Sequence, residues 1–129
     1  MNSSEQPIRQ IASNLLWTPR GLLRDPLVRL STDGVVLGVV ACPAPDREAG
    51  TAFFAGVLVA QTLAEPLAAL CRRRPLPETP LPEILATLAT ALPHGACEVA
   101  ERRCCPLAVI SGLDYPTLRL TPQTQIRKL

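Results

Sequence analysis

Aromatic side chains are nearly missing from this chain of 129 residues: Trp17, Phe53, Phe54 and Tyr115 are all of them. A buried core must then be made of Leu, Val, Ala and Ile. Histidine occurs once, at His94, which excludes a metal site built from several imidazoles. Charge of one sign is also lacking. The 13 basic and 11 acidic residues leave a net charge of +2, too little for the concentrated basic face that a nucleic-acid partner requires. Uncharged stretches such as Thr51–Ala64 and Ile84–Cys97 are shorter than the about 20 residues of a membrane span, so no membrane partner is expected. Met1–Asn14 is polar, carries Glu5 and Arg9, and has no apolar core of a secretory signal. A cytoplasmic location is the expectation.

What is present describes a globular chain: 47% hydrophobic and 19% charged residues. The length suits one domain and is too short for a (β/α)₈ barrel, which takes about 250 residues. Glycines number 7 against 14 prolines, so many segments must be short. Five cysteines (Cys42, Cys71, Cys97, Cys104 and Cys105) make an odd count with no C-x₂-C pair. Reduced, structural thiols are the main reading; a thiol-based redox sensor using Cys104-Cys105 is an alternative.

Ile8–Thr18 carries Ile8, Ile11, Leu15, Leu16 and Trp17 before the turn Pro19-Arg20-Gly21, and reads as a strand of a meander. Leu27–Thr32 alternates apolar and polar residues, and Val35–Val40 is β-branched and apolar. Asp33-Gly34 between them predicts a hairpin with a two-residue type I′ turn. Cys42–Arg47 reads as a loop. Phe53–Val59 reads as a further strand, with Gly56 a bulge or a point of close backbone approach. Gln61–Arg73 places Leu63, Leu67 and Leu70 at helical spacing, with Pro66 in the first turn. The basic run Arg72-Arg73-Arg74 fits a helix C-terminus, where cations complement the dipole. After a proline-rich connector, Thr79–Leu92 predicts a second helix through Ile84, Leu85, Leu88 and Leu92, stopped by Pro93-His94-Gly95. Leu107–Ile110 is a strand, Gly112–Pro116 a turn, Leu118–Thr121 an alternating strand, and Gln125–Leu129 a final strand or tail. The expected fold is α+β: strands over about 8–59, helices over about 61–92, strands over about 107–129, with both ends of the chain in one sheet system.

Three stretches at the start and two near the end resemble the metal-dependent amidohydrolase superfamily, in its chlorohydrolase or cytosine-deaminase-like branch. Ile11–Gly21 is similar to its opening strand and turn, Leu27–Val40 to its Asp-Gly hairpin, and Phe53–Val59 to the strand that enters the barrel. Pro80–Leu92 resembles the late helix before the closing strands, and Leu107–Leu129 resembles those strands. The resemblance implies a small composite β-sandwich as a single domain over residues 1–129, with the catalytic barrel missing. Where the family continues with Pro-Gly and a His-x-His metal pair, this chain has Ala60-Gln61-Thr62-Leu63; near the family's Pro-Gly-Lys turn it has Glu101–Cys105.

No residue is therefore nominated as catalytic, cofactor-binding or metal-ligating. His94 reads as a loop residue at a helix stop. Asp33 and Asp114 have turn roles, and Asp46 and Glu48 belong to a loop. The expected function is a catalytically incomplete amidohydrolase-like domain, structural or self-associating, with a second copy or a partner covering an exposed sheet edge. The alternative is a metal-dependent hydrolase of C–N or C–Cl bonds whose barrel comes from another chain.

Overall fold

A computed structural model of the protein describes residues 9–41, 50–93, 96, 99 and 105–129. Its strands are β1 (Arg9–Thr18), β2 (Gly21–Arg24), β3 (Pro26–Leu30), β4 (Val36–Ala41), β5 (Thr51–Ala60), β6 (Leu107–Ser111) and β7 (Gln125–Lys128). Two helices, α1 (Ala64–Cys71) and α2 (Leu81–Ala89), fall between β5 and β6. The fold is α+β, as expected, with a mixed seven-stranded sheet in the order β4-β3-β1-β5-β6-β7 and β2 pairing with β1 beside β3. Every pairing is antiparallel except the central one, where β1 and β5 run parallel. Strands from both ends of the chain thus share the sheet: β5 pairs with β6 from Val57↔Ile110 to Ala60↔Leu107.

Buried apolar residues form two clusters, one on each face. Trp17, Val57, Val59 and Ile110 point toward α1 and α2, where they meet Leu63, Leu67, Leu81, Ile84 and Leu85. Ile11, Leu16, Leu58, Leu107 and Val109 form the other cluster with Val28, Val36, Val99 and Cys105. Alternation along β5 and β6 explains this division: Val57 and Val59 take one face, Leu58 and Ala60 the other. Because residues 57–60 of β5 and 107–110 of β6 are buried on both faces, these segments read as unbroken apolar runs. The helical stripes behave as predicted, with Leu63 and Leu67 fully buried and Leu70 packed at the margin of the same cluster.

The first helical segment is shorter than the predicted Gln61–Arg73. Gln61–Leu63 is a single 3₁₀ turn, and α1 ends at Cys71. Arg74 closes it: its guanidinium Nη1 donates to the carbonyls of Cys71 and Arg73, each at 2.9 Å. The basic run is in this respect a helix terminus, as its sequence implied. The second helix spans Leu81–Ala89 within the predicted Thr79–Leu92. Pro82 stands at its second position and has no N–H to satisfy; the Leu81 N–H donates to the Leu118 carbonyl at 2.7 Å.

Three further expectations are corrected. The turn between β3 and β4 is not type I′, because Gly34 has φ +84° but Asp33 is not left-handed. The Gly34 N–H donates to the Ser31 carbonyl and the Ser31 N–H to the Val35 carbonyl, which closes a three-residue loop with glycine at its left-handed last position. A register shift then leaves Leu37 bulged between the Arg29↔Gly38 and Leu30↔Val36 pairs. Leu118–Thr121 is not a strand. Asp114↔Arg119 is an isolated bridge, Leu118 has φ +56°, and the Thr121 hydroxyl bonds the Gly112 carbonyl. Its alternation arises because Leu120 is buried and Leu118 partly so, both against the helical cluster, as a loop lying on α2. Finally, Gly21–Arg24 is an additional strand, paired from Thr18↔Gly21 to Leu15↔Arg24. Ile8, the Cys42–Arg47 loop, His94, Cys97 and Cys104 lie outside the described residues.

Candidate functional site

The sheet is broken at one latitude across three adjacent strands. On β5, Ala55 and Gly56 together oppose Asn14, since Ser13 pairs with Phe54 and Leu15 with Val57. Gly56 has φ +132°, and a Cβ there would fall 2.1 Å from the Ile110 carbonyl oxygen. Both sequence readings of Gly56, bulge and close approach, hold. The bulged Gly56 N–H donates to Asn14 Oδ1 at 2.9 Å, so a side chain replaces the missing ladder partner. On β1 the Ser13 hydroxyl donates to the Leu15 carbonyl at 2.7 Å. Ile11 and Leu16, five residues apart, consequently share one cluster, which an undisturbed strand of period two does not permit. On the other side of β1, Asp25 separates β2 from β3 with φ +50°, and its N–H donates to the Asn14 carbonyl at 3.0 Å.

This break forms one wall of a groove of about 640 Å³. Asn14, Leu15, Leu22, Arg24 and Asp25 contribute from the sheet; Tyr115, Pro116, Thr117 and Leu118 contribute from the loop before β7. The loop holds its shape by local bonds. The Leu118 N–H and the Thr117 hydroxyl both reach Asp114, and the Asp114 N–H donates to the Arg119 carbonyl at 3.0 Å. Both non-glycine residues with positive φ among the described residues, Asp25 and Leu118, line this groove. Its size suits a small molecule, whereas a second hollow beside Arg9, Asp33 and Cys105 holds about 190 Å³. The turn role of Asp114 was legible in the sequence. Asn14, Arg24, Asp25 and Tyr115 were not nominated, since nothing in their spacing marks them; the bulge signal at Gly56 was the nearest pointer.

Among the described residues no group of three His, Cys, Asp or Glu side chains gathers to hold a metal ion. Cys105, half of the adjacent thiol pair, is buried. Burial pushes the Cys71 thiol above its ordinary pKa, against a smaller opposing pull from Arg74 and Arg72. Lys128 Nζ and Glu65 Oε1 meet at 3.0 Å and tie β7 to α1. That hydrogen bond, then the Lys128 charge, holds the exposed Glu65 carboxyl below its ordinary value. No helix among the described residues is long and apolar enough to cross a membrane. Compared with known proteins, the chain matches no family model, no curated protein and no solved structure.

Proposed function

We propose that the protein is a non-catalytic, cytoplasmic, amidohydrolase-like frame that acts by association with a second copy of itself. The pairing of β5 with β6 carries this reading. In the superfamily that the sequence resembles, the entry strand and the closing strands belong to one composite β-sandwich with the barrel between them in sequence. Here the strand that would enter the barrel runs directly into a 3₁₀ turn and α1, and pairs at once with the first closing strand. The two short helices fill the interval and cover the face of the sheet. In this reading the seven strands correspond to that sandwich.

The partner surface is the edge strand β4. It pairs with β3 on one side and with no described strand on the other. Leu37 and Val40 are 48% and 52% exposed, and no charged residue occurs from Gly34 to Pro45. Protein edges are ordinarily protected by charge, and an apolar edge without it recruits another strand. Light scattering coupled to size-exclusion chromatography tests this: the wild-type chain runs as a dimer and Val40→Lys as a monomer. A wild-type monomer across the accessible concentration range overturns self-association. An equivalent of tightly bound zinc or iron in the purified protein overturns the non-catalytic reading.

A further inference from the structure

Independently of any association, we propose that the groove between the Asp25 bend and the Tyr115–Leu118 loop binds a free α-amino acid with an apolar side chain. Arg24 and Asp25 put one charge of each sign on its wall, and no ion pair joins either to another described residue. Asn14 has its Oδ1 committed to the Gly56 N–H, which leaves the Nδ2 donors for a ligand. The groove's apolar lining includes Leu22 and Tyr115, both large side chains left exposed to solvent. A zwitterion matches these groups. Its carboxylate is taken by the Arg24 guanidinium and the Asn14 amide, its ammonium by the Asp25 carboxylate, and its side chain by Leu22 and the Tyr115 ring. A simple carboxylate would meet Asp25 as a like charge, and a simple amine would meet Arg24 likewise.

The backbone gives a second, separate observation. Asp25 and Leu118 adopt left-handed conformations that disfavour side chains, and the two sit on the walls of this one groove. For a leucine such a φ is a genuine outlier, and conformations of this kind concentrate at ligand clamps.

The test is a titration of the full ¹⁵N-labelled chain with L-leucine, read by amide chemical shifts. Its controls are 4-methylpentanoate, which lacks the ammonium, and 3-methylbutylamine, which lacks the carboxylate. The expected result is saturable shifts over Leu22–Asp25 and Tyr115–Leu118 with L-leucine alone. Arg24→Gln and Asp25→Asn should each weaken binding about tenfold or more. Asparagine tolerates a left-handed backbone, so the second variant removes the charge without refolding the bend. Both variants are first required to keep the wild-type spectrum outside the groove. Equal shifts with either control overturn recognition of both charges. The absence of saturation by about 10 mM L-leucine, or undiminished binding in both variants, overturns the site.

Discussion

Gly56, like Gly112, stands where a neighbouring backbone carbonyl leaves no room for a side chain. A methyl group at Gly56 would stand 2.1 Å from the Ile110 carbonyl oxygen, part of a backbone fixed by the β5–β6 ladder, and its φ of +132° is unsuited to a side chain. Gly56→Ala is expected to cost about 3 kcal/mol or more, at the upper end of single-residue effects, measured by urea denaturation. Cys71 allows a chemical check at the same scale. Partial burial raises its pKa, against a smaller pull from Arg74 and Arg72, and thiolate is the reactive species. Iodoacetamide should therefore modify Cys71 more slowly than a small free thiol at neutral pH, as followed by mass spectrometry. A rate equal to or above that of the free thiol would show that the flanking arginines outweigh burial.

Among the elements, α2 rests on the loop that follows β6. It has no side-chain cap; the Leu118 carbonyl serves its first amide, and Leu81, Ile84 and Leu85 anchor its apolar side. Leu85→Ala is expected to destabilise by about 2–5 kcal/mol, the usual range for a fully buried leucine. The tie between β7 and α1 makes a pH-dependent prediction. Glu65 has a lower pKa folded than unfolded, so its contribution is present above the unfolded value and disappears as pH falls through the folded one. Lys128→Gln should flatten the acid side of the melting-temperature profile. Because both side chains are exposed, the difference should shrink in high salt.

Strand and helix placement was legible wherever burial follows a simple period. β3, β4 and β5, and the faces of α1 and α2, emerge from alternation or from leucine spacing. The failures have particular causes. Gly21–Arg24 lies between turn residues and keeps Leu22 and Arg24 exposed, so no alternation marks it as a strand. Leu118–Thr121 alternates because a loop presses Leu120 and part of Leu118 against the helical cluster, a pattern indistinguishable from a strand's. Asp33-Gly34 signals a hairpin correctly, but a glycine at a left-handed position suits a two- or a three-residue turn, so the pair alone does not set the loop length. The groove residues are brought together by contacts between Asn14 and Gly56, far apart in the chain, and by the loop before β7. Local spacing carries no trace of such a meeting.

For the molecule as a whole, the parallel pairing of β1 with β5 sets the order in which the chain can fold. β1 meets β3 and β2 early, but its other edge waits for residues 51–60, and β5 in turn waits for residues 107–111. Joining such distant partners carries a loop-closure cost before any burial rewards it, which slows folding. As the chain leaves the ribosome, the most apolar part of β5 stands unpaired on one side until β6 has been synthesised. Residues 57–60 are thus the segment most exposed to misassembly in a nascent chain, although they are the most deeply buried part of β5 in the finished one.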